Sequence, residues 1–224
     1  MSYIKAFFIS LHCILIAILT IIVSPFDRKG KITHYLSKAF GGGILFIAGA
    51  KVDVIGKELL DPEANYIFIS NHQSFFDIPV LMKAIPNNVR FIYRDDLTKI
   101  PILGWGMYLG KYIPINRSNV REAMKSLKKA AEKIRNGISV VIFPEGTRSF
   151  DGNVGEFKRG IFVLADEAKV QLVPTAVIGS NTIMPRAGFK ISSGKVKVVF
   201  SKPVEYRKDK DFLEEIRQVI VKSL

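Results

Sequence analysis

The strongest constraint on the fold is an apolar run near the amino end, from Ala6 to Val23, interrupted only by Ser10, His12 and Thr20 and closed by Ser24-Pro25. As a helix, such a run is just long enough to cross the hydrocarbon core of a bilayer. Only Lys5 precedes it as a charge, and no small-x-small cleavage pattern stands before the polar stretch, so it reads as a retained helix and not a removed leader. A second apolar piece, Ala39 to Ala50, is too short to cross and carries Gly41, Gly42, Gly43 and Gly49, which suits an interfacial or re-entrant helix. Arg28, Lys29 and Lys31 lie between the two, and the tendency of basic residues to stay inside predicts the cytoplasmic face of the inner membrane. A pair of ordinary core helices is the competing reading.

From residue 51 the pattern changes to short β-branched or aromatic runs alternating with amphipathic stretches. That alternation predicts an α/β fold: a mostly parallel central sheet flanked by helices, behind a two-helix membrane-associating segment. Residues 1–50 are thus expected to form the anchor and 51–224 the α/β domain. Strands are predicted near 51–55, 66–70, 89–93, 138–143, 171–177 and 195–201. The clearest helix covers 120–135, where Ala123, Leu127, Ala130 and Ile134 make an apolar stripe, Asn119 with Glu122 resembles a capping box, and Asn136-Gly137 ends it. Two more are suggested by Phe157, Ile161, Leu164 and Ala168, and by Phe212, Ile216 and Ile220 behind an Asp211 cap. With 48% apolar residues in 224, one compact domain plus an appendage can bury a sizeable core.

Lys and Arg number 33 against 20 Asp and Glu, a net charge of +13 spread along the chain. Polyanions are therefore the natural partners. A mean hydropathy of +0.21 favours an anionic bilayer surface over nucleic acid. A single cysteine, Cys13, excludes an internal disulfide and cysteine-built zinc sites, and His12, His34 and His72 are far apart in sequence, so no metal site is expected. Neither a G-x-S-x-G nucleophile elbow nor a phosphate-binding G-x-x-x-x-G-K-[ST] loop occurs. GWGMYLG (104–110) has one residue too many for a dinucleotide fingerprint and reads as a packing turn.

The chemistry gathers where strands end. The run 66–70 leads into NHQSFFD (71–77), and 138–143 leads into PEGTRS (144–149), so both polar clusters fall at the carboxyl edge where open α/β sheets bind ligands. In one unbroken helix His72 and Asp77 would be about 500° apart and face away from each other, so the segment must turn. With Asp77 at a helix start, the carboxylate can hold the imidazole Nδ1–H and leave Nε2 free as a general base, with no protein nucleophile beside it. In FPEGTRS, Gly146 permits close backbone approach and Arg148 offers a planar fork for phosphate, and Arg117, Lys158 and Arg159 are further cations.

NHQSFFD, IPILGWGMYLGKYIPINR, FPEGTRS and VPTAV, in that order, resemble the four blocks of the glycerolipid acyltransferases, the lysophosphatidate acyltransferase group, over roughly residues 50 to 205. The resemblance implies that His72 is the base and Asp77 its orienting partner. It implies that Glu145, Gly146 and Arg148 help bind the glycerol phosphate, with Arg117 contributing, that Thr147 and Ser149 lie in the binding loop, and that Pro174 marks the block near the acyl donor. Arg94 stands where a lysine is usual and is an additional candidate; Asn116 stands where an acid often precedes the arginine. The implied reaction moves an acyl chain from acyl-CoA or acyl carrier protein to a hydroxyl of lysophosphatidic acid, with no cofactor besides the donor, on a membrane lipid and not on nucleic acid. Glycerol 3-phosphate or another lysolipid is the alternative acceptor. A thioesterase and a basic membrane adaptor are the rival classes.

Overall fold

The structure, a computed structural model, describes residues 2–116, 118–188, 190–209 and 211–224. The apolar run becomes α1 (Ser2–Val23), a 22-residue helix in which only Ile16, Ala17 and Thr20 are buried. Phe7, Phe8, Leu11, Ile14, Leu15 and Ile22 stay exposed. Among the described residues it is the one helix long and apolar enough to cross a membrane. α2 (Lys31–Ala48) begins well before the apolar piece at Ala39. Asp27 explains the difference: its carboxylate accepts the backbone N–H of Ile32 (3.1 Å) and of Thr33 (2.7 Å) and the Thr33 hydroxyl (2.7 Å), satisfying donors that the first helical turn leaves open. The two helices approach closely at Gly43, where a Cβ would lie 2.3 Å from the His12 ring.

The rest alternates strands and helices: β1 (Ala50–Ile55), β2 (Ile67–Ser70), α3 (Asp77–Ala84), β3 (Val89–Arg94), α4 (Leu103–Leu109), β4 (Ile113–Ile115), α5 (Val120–Arg135), β5 (Ser139–Ile142), α6 (Gly160–Ala168), β6 (Leu172–Ile178), α7 (Ser180–Ile183), β7 (Gly194–Phe200) and α8 (Phe212–Val221). The strands form one seven-stranded sheet in the order β1-β7-β6-β2-β5-β3-β4. Among the described residues, β6–β7 is the one antiparallel pairing between these seven strands. This is the mostly parallel α/β sheet flanked by helices that the residue pattern predicts. Its central strands are apolar on both faces, as a doubly covered sheet requires. In β2, Phe68 packs with α2 and α3 on one face, while Ile67 and Ile69 pack with α5, α6 and α8 on the other.

Local readings hold unevenly. α5 has the predicted bounds, and the Asn119 side chain accepts the Glu122 N–H at 2.9 Å. GWGMYLG is a short helix, α4, and not a turn. Its glycines serve contact: a Cβ on Gly104 would meet the Leu97 carbonyl at 2.4 Å, and one on Gly106 the Ala17 Cα of α1 at 3.0 Å. Phe157 precedes α6, which starts at Gly160, and Asp211 makes no side-chain cap on α8.

The hairpin of α1 and α2 is keyed to the sheet by Arg90 on β3, whose side chain is fully buried. Its guanidinium donates to the carbonyls of Gly110 (2.7 Å), Val89 (2.8 Å) and Gly30 (3.0 Å) and to Asn88 Oδ1 (3.0 Å). Lys111 adds Nζ bonds to the carbonyls of Asp27 (2.8 Å) and Arg28 (2.5 Å). Replacing Arg90 by Ala leaves buried carbonyls without donors and opens a cavity, so unfolding free energy should fall by about 3 kcal/mol or more. A denaturant titration in detergent, followed by circular dichroism, checks this; a loss under 1 kcal/mol contradicts the keying role.

Candidate active site

β2 and β5 are parallel neighbours with Ile69 opposite Ile142, so the loops that follow them leave the same edge of the sheet side by side. The first loop is pinned at its root. Asn71 donates to the Val177 carbonyl (2.9 Å) and accepts the Val177 N–H (2.8 Å), a side chain standing in for a strand. The chain then turns so that Asp77, first residue of α3, faces back on the residues before it. Its Oδ2 accepts three N–H groups: the backbone of Gln73 at 2.7 Å, the backbone of Ser74 at 2.9 Å and His72 Nδ1 at 2.7 Å.

Asp77 is fully buried and the His72 side chain is 15% exposed. Because the carboxylate oxygen is already an acceptor for two backbone donors, the imidazole must present Nδ1–H to it, which in the neutral ring puts the lone pair on Nε2. The ring lies flat on Phe143, centroids 4.0 Å apart at 14°. That stacking limits its rotation about the Nδ1 bond. An imidazole held in this way can take a proton at Nε2.

The second loop grips the first through its backbone. Glu145 accepts the His72 N–H on Oε1 (2.8 Å) and the Gly155 N–H on Oε2 (2.9 Å), while the Ser149 N–H donates to the His72 carbonyl (2.7 Å). Burial raises the Glu145 pKa above the ordinary carboxylate value, against the pull of those two N–H groups. With both oxygens accepting backbone N–H groups, Glu145 clamps the two loops together. Gly146 has φ +74°, and a Cβ there would strike Lys158 Nζ at 2.7 Å. Arg148 lies over the Phe75 ring, 3.8 Å from its centroid. Partial burial and then the charge of Arg186 lower its pKa from the usual arginine value, with Asp77 acting the other way.

These groups face a cavity of about 1170 Å³ lined by His72, Gly146, Thr147, Arg148, Lys158 and Arg159 at the polar end. Its apolar wall comes from Cys13, Ile16 and Ala17 of α1, Phe40 of α2, Met82 of α3 and Gly106 of α4, and on the far side from Ala123, Leu127 and Ile161. α1 contributes more of this wall than α2 does.

The structure therefore gathers His72, Asp77, Glu145, Gly146, Thr147, Arg148 and Lys158. Other candidates fall elsewhere. Arg94 reaches the cavity rim, but its exposed guanidinium is forked onto Asp96 at 3.1 and 2.5 Å. The Ser149 hydroxyl donates to Asp151 (3.0 Å). Pro174 sits inside β6 opposite Ile69, buried and outside the cavity lining. Arg117 lies outside the described residues. Phe75, Phe143, Gly155 and Arg186 were not singled out from sequence; the first three work through ring faces and a backbone N–H, and no residue pattern marks the fourth.

The clamp can be tested directly. Glu145→Gln keeps one acceptor and aims an amide N–H at a backbone N–H, so hydrogen exchange at Gly155 or His72 should speed up by tenfold or more. Unchanged protection at both amides would contradict the clamp.

Residues 51–178 match the Acyltransferase domain family. The chain is 35% identical over 202 residues to a chloroplastic 1-acyl-sn-glycerol-3-phosphate acyltransferase of Brassica napus, covering 89% of this chain and 58% of that one. It is 35% identical over 185 residues to a yeast protein of the same description from Saccharomyces cerevisiae, covering 79% and 60%. A Limnanthes alba protein so described is 30% identical over 190 residues, covering 82% and 67%. The chain thus spans under two thirds of the length of the Brassica and yeast relatives. Among solved structures, that of the 1-acyl-sn-glycerophosphate acyltransferase PlsC of Thermotoga maritima superposes with a TM-score of 0.84 at 24% identity, over 99% of this chain and 93% of that one. The domain match takes in both loops and the strands that carry them, and on that ground the chain belongs to the acyltransferase family.

Proposed function

We propose that this protein transfers a fatty acyl chain from a thioester, acyl-CoA or acyl carrier protein, to the sn-2 hydroxyl of 1-acyl-glycerol 3-phosphate, giving phosphatidate. The observation that carries this reading is the 2.7 Å bond between His72 Nδ1 and buried Asp77, on an imidazole that lines a largely apolar cavity beside Arg148. Among the described residues no serine, threonine or cysteine hydrogen-bonds His72 Nε2, which supports a substrate hydroxyl as nucleophile. The names of the relatives support the acceptor.

In this reading Arg148, with Lys158 and Thr147 beside it, binds the acceptor's phosphate, and His72 Nε2 takes the proton of the free hydroxyl. The oxygen attacks the thioester carbonyl, the tetrahedral intermediate collapses with cleavage of the C–S bond, and His72 returns the proton to the departing thiolate. Asp77 stabilises the imidazolium formed on the way. The apolar wall takes the acyl chain and keeps water from the thioester. Atoms balance with donor and acceptor alone, so no further cofactor enters.

The exposed apolar face of α1 is proposed to lie in lipid, with Trp105 and Tyr108 of the adjoining α4 at the headgroup level, where amphipathic aromatics are favoured. The net charge of +13 favours an anionic surface. Arg28, Lys29 and Lys31 support a cytoplasmic-face location.

Purified protein in detergent, with labelled acyl donor and lysophosphatidate, glycerol 3-phosphate or no acceptor, tests the chemistry. His72→Ala and Asp77→Asn should each lower turnover by about 10²–10⁴ with the fold intact. Turnover of His72→Ala within threefold of wild type, or fatty acid release without acceptor, ends this reading. Serine at Phe7, Leu11 and Ile14 together should abolish flotation with anionic vesicles while leaving detergent activity; retained flotation would reject the lipid face.

A further inference from the structure

We propose that Arg186 is a further cation of the acceptor-phosphate subsite, acting with Arg148 and Lys158; this rests on reading the protein as a lysophosphatidate acyltransferase. After β6 the chain passes through α7 and reaches Met184-Pro185-Arg186, which no motif marks. That segment is tied to the His72 loop, because the Ser74 hydroxyl donates to the Met184 carbonyl at 2.7 Å. Arg186 lies over the Phe150 ring at 3.2 Å, and Arg148, two residues before Phe150, lies over Phe75 at 3.8 Å.

Stacking on a ring face fixes a planar guanidinium without using its N–H donors. Among the described residues neither arginine has a carboxylate or hydrogen-bond partner, in contrast to Arg94, Arg207 and Arg217, which are each paired to an acid. One terminal nitrogen of Arg186 is shut off from solvent with no acceptor. A buried charged donor left open is costly, and so is the repulsion between the two cations, which adds to burial in depressing Arg148. A phosphate monoester, with two negative charges and several acceptor oxygens, answers both needs.

A small cavity of about 180 Å³ is lined by Gln73, Ser149, Phe150, Asn181 and Arg186, and the sequence neighbours of the first two, His72 and Arg148, line the large one. Gln73 adjoins His72 in sequence, and the Ser74–Met184 bond ties the Arg186 segment to the same loop. In a glycerol phosphate, hydroxyl and phosphate are only a few bonds apart. The phosphates of a thioester donor are separated from its carbonyl by the whole pantetheine arm, so the acceptor is the source that this placement favours.

Arg186→Gln and Arg186→Lys, with exposed Lys195→Gln on β7 as control, should be assayed by varying lysophosphatidate and acyl donor separately. The proposal expects the acceptor KM of Arg186→Gln to rise tenfold or more, kcat to change less than threefold, the donor KM to stay within twofold, and Arg186→Lys to recover part of the loss. An unchanged acceptor KM, a rise confined to the donor KM, or a fall confined to kcat overturns it. Binding is read independently of turnover from the thermal midpoint with inorganic phosphate or glycerol 3-phosphate, which should rise for wild type and Lys195→Gln but not for Arg186→Gln. If the wild type acylates no acceptor, the activity reading fails, and the phosphate-dependent shift still decides the subsite: its loss in Arg186→Gln supports it, and its absence in wild type or persistence in the variant rejects it.

Discussion

One carboxylate oxygen organises this site. Oδ2 of Asp77, shut off from solvent at the first residue of α3, collects three N–H donors from the chain just before it. In a medium of low dielectric constant such bonds are stronger than in water, and a carboxylate without them would be expensive to bury. The same bonds fold the loop back, so that a residue five positions upstream presents a defined nitrogen to a defined atom. The turn that a helix would forbid is thus made by the group that needs it.

That loop would be free to drift without its neighbour. Parallel pairing of β2 with β5 brings FPEGTRS alongside, and Glu145 and Ser149 hold the backbone of His72 from both sides. Phe143 supports the ring itself. The apolar half of the site is supplied from far away in sequence. α1 and α2 wall the cavity because Arg90 and Lys111 bond the turn between them, and because glycines let the helices approach closely. At Gly41 a Cβ would meet the Pro79 carbonyl of α3 at 2.6 Å, and at Gly106 it would meet α1. The apolar wall and the polar centre are therefore one packed body.

Charge is distributed with the same logic. Most arginines and lysines with a carboxylate neighbour form exposed pairs such as Lys125–Glu122 and Lys169–Asp166, which contribute little to stability but cancel locally. Arg148 and Arg186 are instead held by aromatic faces, which fixes their position while leaving their charge uncompensated. Positive charge left uncompensated close to an apolar cavity is suited to an amphiphile with an anionic head.

The residue pattern determined the alternating α/β architecture, six of the strands, the full extent of α5 and the two loops at the carboxyl edge, since hydrophobic period, caps and turn residues are local signals. His72, Asp77, Gly146 and Arg148 were legible for the same reason, each being carried by a short motif. What the sequence could not carry was set by contacts between distant residues. The early start of α2 depends on Asp27 reaching across a turn. GWGMYLG became a helix because its glycines meet α1 and the Leu97–Thr98 backbone. The clamp made by Glu145 depends on both its oxygens meeting backbone donors, one of them on the neighbouring loop. Arg186 had no local mark at all, because its place beside the site comes from the path of β6 and α7 and from one bond to Ser74, and only three-dimensional packing decides which unpaired cation lies next to which base.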